Sequence, residues 1–420
     1  MVFIRDVRPI NIFRRFPIMK KLASLLSVAL VLLAFACQTS GTVESIPEYG
    51  TVDKAVVEVL ADGKAKTVDI ISFNDFHAAL DEEKTGKSPG AAKFATALLD
   101  ARAANPNTVF VSAGDSYQGS ALSSITRGKV VSEVFKYLGI AASAVGNHEF
   151  DWEGAAHFGE WTADGGFPFV ASNIYDKATG KPVDWAKPYH VIKVGGHTIA
   201  FLGFATKETE YKAKADFVAP FEFKEPAEIA AYWVKYLDEN VQPEVIVALT
   251  HFPSAADKAD AKKAMGMAEL FELDALCKVE GIDAVVTGHS HNTVAGFNNG
   301  VPVVQGYYNG RTLGKLSITF KDEGGFEIAP SVDEFFKRKN DIAVNADVQA
   351  IVDRYMAEYG QALNEVVTTL DKDMPHDKNV NVTPMGKWVC DVIKAKYGVQ
   401  VVVMNGGGLR KGFVAGPVTV

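Results

Sequence analysis

The sequence predicts an α/β fold. Short β-rich apolar runs alternate with segments whose apolar residues recur at helical spacing, glycines close several of the runs, and ionisable side chains gather just beyond them. The runs are VDIISF (68–73), TVFVSA (108–113), FPFVAS (167–172), TIAFLGF (198–204), EVIVALT (244–250) and DAVVTG (283–288). Each is rich in Val, Ile or Phe, which suit a pleated, buried surface. Residues 91–103, 129–138 and 225–237 read as the intervening helices. From 303 to 320 the pattern changes to strands and glycine-containing turns, a meander. Residues 345–367 read as one long amphipathic helix, because Val348, Ile351, Val352, Tyr355 and Met356 recur at three- and four-residue steps. This helix is expected to connect two domains. A second α/β segment then runs from 368 to 420, which is small for a self-sufficient core.

Residues 1–37 are expected to be a signal peptide of lipoprotein type. Lys20 and Lys21 precede an apolar run from Leu22 to Ala36 that ends at Cys37. A basic head, a short apolar body and small residues before a cut make a secretory signal. The run is shorter than the ~20 apolar residues a spanning helix needs. The string LLAFAC resembles a bacterial lipoprotein signal, with Cys37 as the lipidated residue; the alternative is a plain signal peptide cut elsewhere. Met19 is an alternative start to Met1. Residues 38–66 read as a tether with one early strand around 55–60. The protein is thus expected to be exported to the cell envelope, periplasmic or surface, and to meet the membrane only through a lipid anchor.

Charge narrows the partners. Through Ala36 the leader carries Arg5, Arg8, Arg14, Arg15, Lys20 and Lys21 against Asp6, so its loss takes the formal charge from −8 to −13. Nucleic-acid polymers need a basic footprint, which argues against them as partners. A small anionic substrate stays open if the site carries its own cations. Beyond Cys37 only Cys277 and Cys390 remain; both fall in apolar patterns and read as buried free thiols, with no zinc-finger spacing.

The chemistry lies where the runs end. Asp75 and His77 follow the run ending at Phe73, Asp115 follows VFVSAG, and Asn147 and His148 follow ASAVG. His251 follows VIVALT, and His289 and His291 follow DAVVTG. Ligands of α/β sheets collect beyond the carboxyl ends of strands, so five runs deliver metal-type side chains to one edge, using five of the nine histidines. The two-residue spacing of Asp75 with His77, and of His289 with His291, would turn each pair to one side in extended backbone. Gly114, Gly146 and Gly288 precede the clusters and are expected to permit sharp turns. Mixed imidazole, carboxylate and amide donors suit Mn, Fe, Co or Zn better than Ca or Mg. His157, His190, His197 and His376 lie outside every cluster and are expected on the surface or in loops.

Taken together, FNDFH, AGDSYQGS, GNHEFD, ALTHFP and TGHSH resemble the five-part signature of calcineurin-like metallophosphoesterases. The 5′-nucleotidase and UDP-sugar hydrolase branch fits best, through GNHEFD and the later NGGGLR (405–410). The resemblance implies a two-sheet β-sandwich flanked by helices over 67–335, a connector with the long helix over 336–367, and a C-terminal α/β domain over 368–420. It implies two divalent ions (Mn, Zn, Co or Fe), with Asp75, His77 and His291 holding one, Asn147, His251 and His289 the other, and Asp115 bridging them. His148 would be the catalytic histidine and Asp151 the partner that orients its ring. Asn405 and Arg410 match the family's substrate contacts.

Two departures accompany the match. Asn381 stands where the family commonly carries an arginine, and no aromatic pair for stacking on a base follows, so the C-terminal domain reads as truncated. The implied activity is metal-dependent hydrolysis of nucleotide phosphate esters, as a 5′-nucleotidase or a UDP-sugar or 2′,3′-cyclic nucleotide hydrolase. The alternatives are an inactive or binding lipoprotein remnant, or a related metallohydrolase acting on another ester.

Overall fold

Side-chain alternation along each strand creates the layers. The computed structural model describes residues 58–59, 64–83, 88–267 and 271–420. The expected leader, Cys37 and most of the tether lie outside the described residues. The chain divides into two compact units, the first ending at Ile351 and the second spanning Val352–Val420.

In the first unit one sheet runs Phe326–Asp333, Leu313–Phe320, Thr67–Phe73, Thr108–Ser112, Ile140–Ala144, Phe169–Val170. The other runs Glu58–Val59, Tyr189–Val194, His197–Phe204, Val245–Ala256, Ala284–Gly288, Val301–Gly306, Thr293–Asn298, with Ala264–Gly266 paired beside Val245–Ala256. Val68, Ile70, Val109 and Val111 of the first sheet meet Ile199, Phe201, Val247 and Leu249 of the second in one buried core. The alternate residues face outward. Phe73 packs edge-on against Phe94 and Phe135 of the helices Ala91–Ala104 and Lys129–Leu138. Leu202, Ile246 and Val285 pack with Trp233 and Leu237 of Pro226–Asn240. The order is helix, sheet, sheet, helix, as expected. Each such side chain, fully buried, contributes on the order of 2–3 kcal/mol.

Several local expectations change. The run at 167–172 pairs only over Phe169–Val170, and Tyr189–Val194 and Phe326–Asp333 are strands that the reading lacked. The expected meander over 303–320 is divided, because Val301–Gly306 joins one sheet and Leu313–Phe320 the other. Val301–Gly306 instead forms a hairpin with Thr293–Asn298 through Asn299 and Gly300. Both turn residues have positive φ, 47° and 82°, which matches the twist of the strands. The long helix is Ala346–Leu363, shorter than expected, because Val366–Leu370 pairs antiparallel with Gly416–Thr419. The second unit adds the helix Pro384–Tyr397, capped by Thr383.

Of the outlying histidines, His157 and His376 lie in turn and loop backbone as expected, whereas His190 and His197 lie in strands. His197 opens a strand and is buried, bonded to Glu244 and to the Ala65 carbonyl and stacked on Phe320. His190 lies within Tyr189–Val194. His157 bonds Glu153 at 2.9 Å and packs on Trp161. His376 bridges Thr383 Oγ1 and the Gly406 carbonyl, each at 2.9 Å. The ring nitrogens of His157, His197 and His376 have hydrogen-bond partners, which lowers the cost of their burial. Cys277 is buried as expected, and burial pushes its thiol up to about 12; Cys390 is only partly buried.

Candidate metal centre

Parallel pairing brings the strand ends together. Thr67–Phe73, Thr108–Ser112 and Ile140–Ala144 run parallel in one sheet, and His197–Phe204, Val245–Ala256 and Ala284–Gly288 in the other. Asp75, His77, Asp115, Asn147, His289 and His291 follow carboxyl ends of these strands, whereas His251 lies inside Val245–Ala256, one residue past its parallel pairing with His197–Phe204. Asp75, His77 and His291 gather in one group and Asp115, His251 and His289 in another.

The backbone there is not extended. Asp75, His77, Asp115, His289 and His291 all have positive φ, between 48° and 67°. That corrects the extended-backbone reading of the paired spacings. A non-glycine residue in this region costs about 1–3 kcal/mol and persists where surroundings over-determine it. Here Asp75 N donates to the Gly114 carbonyl at 2.9 Å, His77 N to the Asp115 carbonyl at 3.0 Å, and His289 N to Asp75 Oδ2 at 2.9 Å. The glycines also divide by reason. Gly114 adopts φ 86° and needs its conformational freedom. Gly146 and Gly288 do not; they are needed for close approach. A Cβ on Gly146 would stand 2.5 Å from Asp115 N and 2.6 Å from Glu149 Oε2, and one on Gly288 would stand 2.8 Å from His251 Nδ1.

Two donor groups result. Asp75 Oδ1 lies 3.1 Å from His291 Nε2 and 3.8 Å from His77 Nε2, and the two ring nitrogens are 3.2 Å apart. Ligands each about 2.1 Å from one ion stand roughly 3–3.5 Å from one another. Asp115 Oδ2 lies 3.0 Å from His251 Nε2, and His289 completes a second group with them. Asp75 Oδ1 is 4.0 Å from His251 Nε2, so the groups adjoin.

The donor atoms are prepared for a cation. His77 Nδ1 donates to the Gln118 carbonyl at 2.9 Å and His251 Nδ1 to the Ala113 carbonyl at 2.6 Å, which turns each Nε2 to the centre. Burial pushes the His77 imidazole down to about 4, against the pull of Asp115 and Asp75, so its ring is neutral. For His251 burial is overcome by Asp115, which lifts the imidazole to about 10. A buried carboxylate pair that draws a proton onto its neighbour equally draws a metal cation. Asp75 Oδ1 and Asn147 Oδ1 are buried acceptors that receive no hydrogen bond of ordinary geometry. Such orphans are rare in folded proteins and mark groups placed for a ligand. The residues therefore fit two divalent ions.

His148 and Asp151 stand beside the groups. Asp151 Oδ2 accepts from His148 Nδ1 at 2.7 Å, and the His148 ring packs edge-on to His77 with centroids 5.3 Å apart. Asn405 and Arg410 lie in the second unit, both exposed, at the short helical turn Gly406–Gly408 and just beyond it.

Three supporting residues escaped the sequence reading. Glu149 is buried and accepts three backbone N–H bonds, from Asp115, Gly146 and Ser116. Asn74 donates to Asp75 Oδ2 at 2.6 Å and accepts from Gly306 N at 2.6 Å. Glu208 lies 2.8 Å from His289 Nε2. Glu149 and Asn74 sat inside quoted motifs, GNHEFD and FNDFH. Glu208 follows the run TIAFLGF, whose end went unused.

Fold and site define a two-sheet α/β metallohydrolase scaffold with two adjoining candidate metal sites near the strand ends. The chain belongs to the calcineurin-like phosphoesterase family, which its residues 68–293 match. It is 26% identical over 375 residues to the endonuclease YhcR of Bacillus subtilis, covering 83% of this chain and 30% of that protein. It is 27% identical over 390 residues to a snake venom 5′-nucleotidase of Gloydius brevicauda, covering 81% of this chain and 62% of that one. The chain thus spans less than two thirds of the length of these curated relatives. Among solved structures, the 5′-nucleotidase precursor of Thermus thermophilus aligns with a TM-score of 0.65 at 23% identity, covering 84% of this chain and 72% of the other. That likeness supports the fold.

Proposed function

We propose that this chain is an exported dinuclear-metal phosphohydrolase of the 5′-nucleotidase type, acting on phosphate esters of nucleotides. One observation carries the reading: two adjoining groups of imidazole and carboxylate donors, one of which contains the buried acceptor Asp75 Oδ1 that takes no hydrogen bond of ordinary geometry. In this reading Asp75, His77 and His291 would hold one ion, Asn147, His251 and His289 would hold the other, and Asp115 would serve both. Bound there, the ions supply Lewis acidity toward the phosphoryl group.

The chain's own residues do the rest. Asp75, Asp115 and His251 are sealed from solvent, whereas the side chains of His148, Asp151 and His291 are 23%, 25% and 25% exposed. A substrate phosphate therefore meets the centre from the His148 and His291 side. Asp115 Oδ1 accepts the backbone N–H of His148 at 2.8 Å, which ties the catalytic loop to the centre. Asp151 holds Nδ1, so Nε2 is the atom that donates to the phosphoryl oxygen as charge builds on it.

Nucleotide substrates are supported by the 5′-nucleotidases among the relatives. The net charge of −8 disfavours a nucleic-acid polymer, although one relative is called an endonuclease. Residues 67–335 are the catalytic domain in this reading, and Asn405 and Arg410, in the C-terminal domain, contact the substrate. Cys37 carries the lipid that holds the protein in the envelope.

The test is phosphate release from AMP and from an aryl phosphate by the full chain, with added manganese or cobalt, beside Asp115→Asn. Losing an outer-shell partner alone costs about 10–100-fold in metal affinity or activity, so loss of the bridging carboxylate should remove at least about 100-fold of the activity. Metal-independent turnover, or an unaffected Asp115→Asn, would overturn the assignment. Hydrolysis of the aryl phosphate without AMP would retain the chemistry and remove the nucleotide.

A further inference from the structure

An imidazole that serves a metal almost always donates its second ring nitrogen to a carboxylate, a main-chain carbonyl or water. In this centre the commitments differ. His77 and His251 give theirs to main-chain carbonyls, of Gln118 and Ala113. His289 instead meets a carboxylate: its Nε2 lies 2.8 Å from Glu208 Oε2, and both side chains are 12% exposed. Among the hydrogen bonds described for the proposed ligands, this is the one in which a side-chain carboxylate outside the ligand set holds a ring.

We propose that Glu208 is the positioning residue for His289, and that it makes one of the two ions depend on a charge lying outside the ligand set. The inference rests on the dinuclear reading above. With Nε2–H donated to Glu208, Nδ1 is the nitrogen left to the ion. The anionic partner fixes that tautomer, holds the ring plane and raises the basicity of the donor. Main-chain carbonyls do the first two but carry no net charge. The ion held by Asn147, His251 and His289 therefore depends directly on Glu208, whereas among the described hydrogen bonds no carboxylate outside the ligand set holds a ring of the ion assigned to Asp75, His77 and His291.

Glu208 is itself anchored from the core. It lies just beyond the strand His197–Phe204, in a segment clipped by buried Glu272, which accepts from Thr206 Oγ1 and from Lys207 N, each at 2.7 Å. Thr206 Oγ1 in turn accepts the Glu208 N–H at 3.2 Å. Lys212 Nζ stands 3.9 Å from the Glu208 carboxylate on the solvent side. A short chain of hydrogen bonds thus fixes the Glu208 backbone before any metal arrives, and His289 and Tyr211 bond its carboxylate.

The experiment is a cobalt(II) titration of the metal-free full chain, followed by visible absorption and by total bound metal, for wild type, Glu208→Gln, Glu208→Ala and Asp115→Asn. Glu208→Gln keeps a bonding oxygen and removes the charge; Glu208→Ala removes both. The expected result is one ion weakened about 10–100-fold, more in the alanine variant, with the other ion and the melting temperature of the metal-free protein unchanged. Wild-type affinity for both ions in Glu208→Ala would overturn the proposal. Equal loss of both ions together with a lowered melting temperature would also overturn it, because the role would then be structural. If wild type binds no cobalt, or Asp115→Asn binds it as wild type does, the dinuclear reading itself fails, and the two failures are told apart by that control.

Discussion

Glu149 Oε2 accepts the backbone N–H of Asp115 at 2.8 Å from a side chain wholly removed from solvent. The same carboxylate accepts from Gly146 N and Ser116 N, each at 2.7 Å. One side chain therefore locks the loop that carries Asp115 to the loop that carries Asn147 and His148. Burial, and then the Asp115 charge, push its carboxyl up to about 7, while the N–H donors pull it down.

Glu149→Gln should loosen that lock. An amide has one acceptor oxygen and turns an NH2 group toward a donor. Each buried bond lost costs about 1–3 kcal/mol. Thermal melts of the metal-free variant should show a lowered Tm, and metal uptake should weaken. An unchanged melt with full metal loading would show that the lock has no energetic weight.

His148→Asn should separate chemistry from metal binding. The ring bonds Asp151 and packs edge-on to His77. Loss of a positioned proton donor costs about 10²–10⁴-fold in rate. Metal content measured on the same sample should match wild type. A variant that sheds metal would instead make His148 a ligand support.

Gly146→Ala tests the close approach directly. Its Cβ would collide with Asp115 N and Glu149 Oε2, neither of which can retreat without breaking the lock. Overpacking of this kind costs about 1–3 kcal/mol. Denaturant midpoints should fall, whereas Gly166→Ala, with open space around its Cβ but φ 73°, should show only the smaller backbone cost. Equal effects at both positions would refute the steric account.

His190 should give the fold an acid-sensitive component. Burial, with Lys187 nearby, pushes its imidazole from the usual 6.5 down to about 4. Between those values the unfolded chain binds the proton and the folded chain does not, so stability rises with pH across that window. The contribution is present above pH 6.5 and is lost as pH falls through 4. One proton gives a slope of at most about 1.4 kcal/mol per pH unit. The difference in unfolding free energy between wild type and His190→Asn, measured from pH 7 to pH 4, should carry that slope; a flat difference would sink the prediction.

The sequence by itself determined the layers and where the candidate metal donors fall along the chain. Alternating apolar runs such as VDIISF can be satisfied only between two apolar surfaces, and a parallel sheet must end all its strands on one side. Asp75, Asp115, His251 and His289 were legible for that reason: each follows such a run directly. Tertiary structure alone decided the rest. The left-handed backbone at Asp75, His77 and His289 is offset by bonds to loops far away in sequence, which no local pattern records. The roles of Glu149, Asn74 and Glu208 likewise depend on which loop lies opposite, for a carboxylate in GNHEFD or TKET looks the same whether it faces water or holds a neighbour's N–H. The division of the expected meander between two sheets has the same cause. A strand's apolar pattern states that it is buried, and only packing states against what.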